Sequence, residues 1–218
     1  MTTAGPAVAH VGADDGRVSG FATATHEIVA RLFLPVRGAG DVLESWSGLA
    51  RRAGIPLTST LTFTELTAAL PPDEATVLAK PAGELPPRET SALVDVLRRA
   101  TTTPTRCFFG LWEGSSTDLE GLELAPFPPA LDALAHRHGG LALHVAPLSW
   151  LVDRARRFPP QRMPVFVWPQ DGAFLLSCPI YRDSLFVSCS RSTRDALRAA
   201  GFDVLPAAPD DPVPQEWE

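Results

Sequence analysis

Hydrophobic and polar positions repeat with two different periods along this chain, and the change of period predicts interleaved strands and helices. Short apolar or alternating runs predict strands at 28–36, 57–63, 107–112, 141–145, 165–168, 173–180 and 184–189. Apolar residues spaced three or four apart predict helices at 42–53, 87–100, 128–138, 148–155 and 193–200. Strands bunch toward the C-terminal end and helices are irregularly interspersed. This pattern predicts an α+β fold with a mixed or mainly antiparallel sheet, a C-terminal hairpin and flanking amphipathic helices.

The helix at 42–53 has the clearest start and stop signals. Asp41 is placed as its N-cap, and Glu44 three residues later completes a capping-box-like pair. Gly54 sits where a C′ glycine belongs, and Pro56 prevents continuation. A second, short helix is predicted with Thr64 as its cap.

The last two strands are predicted to form a hairpin with a two-residue turn at Arg182 and Asp183. This register places Cys178 opposite Val187, so that Cys189 is its diagonal neighbour on a core-facing side. A diagonal separation of about 7 Å is too long for a disulfide. Core packing is therefore the expected role of these cysteines, as it is for the third, Cys107.

Three segments are predicted from composition. Residues 1–24 have no sustained periodicity and are expected to form a flexible lead. Residues 25–205 are expected to form a single α+β domain, with a possible subdivision in the Pro-rich stretch 71–87. Residues 206–218 carry four prolines and four acids and are expected to form an extended tail.

Composition narrows the classes of function. The 218 residues are 45% hydrophobic and 20% charged, as in ordinary globular proteins. The 19 basic and 25 acidic residues give a net charge of −6, which argues against a dedicated nucleic-acid binder. With 3 cysteines, and neither a signal peptide nor a long apolar run, we expect a soluble cytoplasmic protein that does not associate with membranes.

Motifs that would indicate catalysis are missing from the sequence. There is no G-x-S-x-G elbow, no dinucleotide or P-loop glycine pattern, and no C-x-x-C pair. His136 and His138 are two positions apart, which does not suit a helical zinc pair, and both fit the last turn of a helix. No metal or cofactor is therefore predicted.

Two sets of residues are candidates for binding. Arginine stripes and an acidic loop offer a charged surface for a protein partner, although solvated faces often look the same. These residues are Arg191, Arg194, Arg198, Arg154, Arg157, Asp118 and Glu120. An alternative is a pocket assembled near strand ends from Trp112, Glu113, His144, Trp168 and Asp171.

Two aromatic segments carry a resemblance. The segment 106–114, RCFFGLWEG, resembles the C-F-x-L-W-x-G stretch of a group of uncharacterised actinobacterial proteins, and 167–174, VWPQDGAF, resembles their W-P-x-D-x-A-W stretch. The resemblance covers about residues 28–211 and implies a shared fold, with no established activity to transfer. The chain departs from the group where Pro179, Ile180 and Tyr181 replace the acidic residues expected before the hairpin turn.

These observations favour a non-enzymatic protein that works through protein–protein contact, as an accessory or immunity-like factor. The alternative hypothesis is a small-molecule binder or enzyme with a pocket near the LWEG and WPQD segments, residues 111–114 and 168–171.

Overall fold

A computed structural model describes residues 11–12, 16–23, 25–114, 119–127, 131–157, 161–180 and 182–213, apart from the side chain of Asp132. The helices in these residues are α1 Trp46–Ala53, α2 Phe63–Ala68, α3 Pro72–Ala75, α4 Pro87–Ala100, α5 Asp132–Arg137, α6 Trp150–Ala155 and α7 Arg191–Ala199. The strands are β1 Ile28–Phe33, β2 Val36–Arg37, β3 Leu43–Glu44, β4 Cys107–Trp112, β5 Leu124–Ala125, β6 Leu141–Ala146, β7 Phe166–Pro169, β8 Leu175–Ser177, β9 Ser184–Cys189 and β10 Val204–Pro206.

Eight of these strands form one sheet in the order β10-β1-β9-β8-β7-β4-β6-β5, and every neighbouring pair is antiparallel. β2 and β3 pair with each other outside the sheet. The predicted α+β class, with a mainly antiparallel sheet, a C-terminal hairpin and flanking helices, is confirmed. Within the described residues, no helix has the length and apolarity needed to cross a membrane.

Both faces of the sheet are covered, because its central strands carry apolar residues on alternate sides. In β4, Cys107, Phe109 and Leu111 belong to one core cluster together with apolar residues of α4, α6 and α7. Phe108 belongs to a second cluster on the opposite face. α4 lies between α6 and α7 and contacts both.

Parts of the two terminal segments complete the second cluster, where the sequence analysis expected a flexible lead and an extended tail. Val18, Phe21 and Val213 are buried there. The amide of Val18 donates to the Asp211 carbonyl at 3.0 Å, and the amide of Val213 donates to the Gly16 carbonyl at 2.8 Å. These contacts bury single apolar residues, which leave no periodic pattern in the sequence.

A third core cluster joins a small helical unit to one edge of the sheet. Trp46 of α1 is fully buried there, and its indole N–H donates to the Leu34 carbonyl at 2.8 Å. α1 is capped by Ser45 instead of the predicted Asp41, which has a positive φ of 61° in a short 3-10 turn. Gly54 ends α1 in the left-handed conformation, as its position predicts.

The predicted strand at 57–63 is wrong, because a helix start lies inside that segment. Thr62 caps α2 and accepts from the amide of Glu65, whose carboxylate accepts in turn from the amide of Thr62 at 2.9 Å. This reciprocal pair satisfies two of the amides that a helix start leaves without partners. The alternation of Thr and Leu before it lies in a turn.

The C-terminal hairpin has a different register from the predicted one. Leu176 pairs with Val187 and Ser177 with Phe186, two residues away from the predicted alignment. An even shift keeps every side chain on its predicted face, so Cys178 and Cys189 still point into the core. Asp183, which the prediction places in a two-residue turn, is held instead by a partner outside the hairpin.

That partner is Arg31 of β1, which is fully buried in an ion pair with Asp183 at 2.9 Å. The guanidinium also donates to the Ser184 hydroxyl at 2.7 Å and to the carbonyls of Ser59 and Leu61 at 2.8 and 2.9 Å. Its centre lies 4.1 Å from the ring of Phe33. This network, which joins the helical unit to the sheet, was not predicted from the sequence.

Candidate functional site

A cleft of about 340 Å³ lies between α1, the first turns of α4 and the segment that follows α7. We call it the α1–α4 cleft. It is lined by Phe33, Pro35, Leu43, Glu44, Ser45, Trp46, Arg88, Glu89, Ala92, Ala200, Gly201, Phe202 and Asp203. The lining therefore combines apolar residues with three carboxylates and one guanidinium, a composition typical of binding sites.

Proline and glycine residues at the ends of the helices position several of the lining residues. Pro86 and Pro87 start α4, so Arg88 and Glu89 occupy its first turn, and Ala92 follows one turn later. Gly201, with a φ of 93°, turns the chain away from α7 and toward Asp203. The Asp203 carboxylate accepts from the amide of Ser47 at 2.9 Å and so joins this segment to the start of α1.

Two of the three carboxylates in the cleft already have partners. Arg52 binds Glu44 at 2.6 Å and Glu74 at 3.0 Å. The hydrogen bond to Glu44 raises the pKa of Arg52, burial lowers it by less, and the hydrogen bond to Glu74 raises it further. Asp203 accepts the Ser47 amide. The carboxylate of Glu89 differs, because its Oε2 is buried and has no hydrogen-bond partner.

Glu89 cannot form at the start of α4 the capping box that Glu65 forms at the start of α2. Glu65 and Glu89 both occupy the third position of a helix, from which a glutamate can reach back to the N-cap amide. In α2 the N-cap is Thr62, whose amide donates to Glu65 at 2.9 Å. In α4 the N-cap is Pro86, which has no N–H.

A second cleft, of about 220 Å³, adjoins the first and shares Pro35 and Leu43 with it. Arg37, Lys80 and Glu84 are its charged lining residues. Val42, which immediately precedes the shared Leu43, is 61% exposed. The two clefts and Val42 form one extended surface of mixed charge.

Two arginines of the predicted stripe on α7 already have carboxylate partners. Arg191 on α7 is bound to Glu27 at 2.8 Å, and Arg194 to Asp195 at 2.8 Å, while Arg198 is exposed. These two ion pairs neutralise part of the stripe.

The second predicted stripe is interrupted because Arg154 points inward. It is only 3% exposed, donates to the Arg162 carbonyl at 2.9 Å and lies 5.3 Å from the Trp150 ring. Its assignment to a partner surface is therefore corrected to a packing role, while Arg157 is exposed. In the acidic loop, Glu120 is exposed and Asp118 lies outside the described residues.

The predicted pocket residues lie at different ends and on different faces of the sheet. Trp168 is fully buried against Phe108 on the face of the second cluster, with ring centroids 5.4 Å apart. His144 lies on the other face, 4.6 Å from the Trp150 ring, and its Nδ1 is 3.0 Å from the Glu123 carbonyl. The structure does not bring these two side chains together.

Trp112 and Asp171 lie near opposite ends of β4. Trp112 borders a cavity of about 20 Å³, room for about one water molecule, and the adjacent Glu113 is exposed.

Burial alone would raise the pKa of Asp171, but hydrogen bonds from Thr102 and Thr101 lower it below its ordinary value. Asp171 therefore holds the turn after α4.

The cysteines are poorly suited to nucleophilic or metal chemistry. Burial raises the pKa of Cys107 and Cys178 to about 12 and that of Cys189 to about 11, and thiolates are the reactive form. Within the described residues, no three His, Cys, Asp or Glu side chains are placed to hold a metal ion.

Comparisons with protein-family models, curated proteins and solved structures found no match to this chain. The α1–α4 cleft was not predicted from the sequence. The available signal was Glu89 at the third position of a helix whose N-cap is proline.

Proposed function

We propose that this chain is a non-enzymatic protein that binds a partner protein, as an accessory or immunity-like factor, and that the α1–α4 cleft is the contact site. The observation that carries the proposal is the surface formed by two adjoining clefts, of about 340 and 220 Å³, beside an exposed valine. Protein interfaces combine buried apolar and aromatic residues with charged groups, and the linings of the two clefts contain both kinds.

The state of the reactive side chains supports a non-enzymatic role. Catalytic nucleophiles and bases have pKa values shifted toward their working pH. The pKa values of the three thiols are instead raised to about 11 to 12, away from neutral pH. Asp171 is held by its threonine donors.

A cytoplasmic location is part of the proposal. Cys107, Cys178 and Cys189 are all free and buried. Unpaired thiols are typical of proteins in reducing compartments, where disulfides rarely persist.

The test compares three tagged forms purified from the host organism: the wild type, Ala92→Phe and Ala133→Phe. Ala92 lines the cleft, so a phenyl ring there fills it. Ala133 is an exposed alanine of α5, which packs near β6 at the far end of the sheet, and serves as the matched control.

Mass spectrometry then identifies what co-purifies with each form. We expect one stoichiometric protein with the wild type and with Ala133→Phe, and its loss with Ala92→Phe. A partner retained by Ala92→Phe, or no protein partner at all, would contradict the proposal.

The alternative function is binding of a small molecule in the same cleft, and its volume is the observation that favours it. At about 340 Å³ the cleft lies within the range of roughly 300–1,000 Å³ that is usual for ligand sites. Native mass spectrometry of the purified wild type would then show a bound small molecule that Ala92→Phe excludes.

A further inference from the structure

We propose that the α1–α4 cleft receives an arginine side chain of the partner protein and that Glu89 binds its guanidinium. This inference rests on the proposed function, because it names the chemistry of the group that the partner inserts. Three features of the cleft support it: its balance of charge, the unpartnered oxygen of Glu89 and its apolar walls.

The lining residues favour a cation over an anion. Three carboxylates line the cleft against one guanidinium, that of Arg88. Arg52 already neutralises Glu44 from outside the cleft, and Asp203 accepts the Ser47 amide. Glu89 differs from these two carboxylates because its Oε2 is buried without a hydrogen-bond partner.

The buried Oε2 of Glu89 has no hydrogen-bond partner, which favours binding of a donor group by this carboxylate. Leaving a buried acceptor without a hydrogen-bond partner destabilises the protein, and more so when the acceptor is charged. Oε2 is covered in this conformation. The last torsion of a glutamate is soft, however, so the carboxylate can rotate toward a donor in the cleft.

The rigid setting of Glu89 favours a specific contact. Pro86 and Pro87 fix the start of α4 and remove the amides that would otherwise compete for the carboxylate. In α2, by contrast, the Glu65 carboxylate already accepts a hydrogen bond from the amide of Thr62.

Arginine fits the cleft better than a metal ion or a compact ammonium. No three His, Cys, Asp or Glu side chains of the described residues are grouped to hold a metal. Apolar walls that include Ala92 and Phe202 suit the aliphatic stem of an arginine. Its planar guanidinium can donate two parallel hydrogen bonds to one carboxylate.

The experiment is an NMR titration of the full ¹⁵N-labelled chain with N-acetyl-arginine amide. The matched probe is N-acetyl-citrulline amide, which has the same shape with a neutral urea group. We expect the arginine probe to shift the amide signals of residues 88–92 and 201–203, with a Kd of about 1–10 mM. The citrulline probe should bind at least about tenfold more weakly.

Two variants test the role of Glu89. Glu89→Gln, which keeps the size and removes the charge, should weaken binding of the arginine probe about tenfold. Asp153→Asn, which changes an exposed carboxylate of α6 that lines neither cleft, should leave it unchanged. Because the two probes are also compared on the wild type, the test does not depend on whether a variant folds.

Equal binding of the two probes, shifts confined to another surface, or full affinity in Glu89→Gln would overturn the inference. These outcomes are separable from failure of the proposed function. If Ala92→Phe abolishes capture of the partner while the arginine probe does not bind, the cleft is the contact site and the inserted group is not an arginine.

Discussion

Replacing Asp183 with asparagine should strongly destabilise the fold, because it leaves a buried arginine without its counter-charge. Arg31 is fully buried and Asp183 is 4% exposed. After Asp183→Asn, the guanidinium keeps three neutral acceptors: the Ser184 hydroxyl and the carbonyls of Ser59 and Leu61. The amide oxygen of the new side chain can still accept, so the change removes mainly the charge.

Breaking one side of a buried ion pair costs about 3–5 kcal/mol. For a protein of 218 residues, each kcal/mol corresponds to about 2–4 °C of melting temperature. We therefore expect a fall of roughly 6–20 °C in Tm, together with a lower midpoint of urea unfolding, followed by tryptophan fluorescence.

The control is Asp95→Asn, which breaks an exposed pair with Arg98 at 3.8 Å. An exposed pair contributes about 0–1 kcal/mol, so little change is expected. Adding Arg31→Met to Asp183→Asn removes both charges, and the double variant should lose less than the sum of the single losses. If Asp183→Asn cost under about 1 kcal/mol, the ion pair would not hold the helical unit on the sheet.

Three further predictions concern the cap, the thiols and the turn after α4. Thr62→Ala removes the capping box of α2 and should lower the free energy of unfolding by about 1 kcal/mol in urea titrations. A thiol reagent at pH 8 should not label the native protein but should label all three cysteines, Cys107, Cys178 and Cys189, in denaturant, since burial raises their pKa values. Because the pKa of Asp171 is lowered from 3.8, its stabilising effect is present above pH 3.8 and is lost as the pH falls through the folded-state pKa. Urea titrations from pH 7 to pH 3 should therefore show the stability gap between the wild type and Asp171→Asn shrinking below about pH 4.

Elements with strong local signals were predictable from the sequence. The helix from Pro87 to Ala100 has its predicted bounds, since proline at the first position and a regular apolar face agree. The strand at 107–112 also has its predicted bounds, because it is apolar on both faces and too short for a helix.

Where two local signals compete, tertiary contacts decide between them. Asp41 and Ser45 are both residue types that favour the N-cap position. The helix α1 starts after Ser45, where Trp46 is buried against Phe33 and Leu34. The connection of the hairpin also involves a distant residue, because Arg31 of β1 binds Asp183.

The cleft itself could not be predicted, because it combines residues far apart in the chain. Glu89 and Asp203 share it with Ser45 only after α1, α4 and α7 pack against the sheet. The Arg31 network is similarly distant, since its hydrogen-bond partners lie between 28 and 153 residues away along the chain. Contacts of this kind leave no periodic pattern in the sequence.

The central claim, that the α1–α4 cleft contacts a partner protein, is tested most directly by site-specific photocrosslinking in the host. A photoreactive phenylalanine derivative is placed at Ala92 in the cleft or at Val145, which is 36% exposed on β6 beside the opposite edge of the sheet. We predict one crosslinked protein from position 92 and none from position 145. Crosslinks from position 145 to that same protein, or none from position 92, would contradict the account.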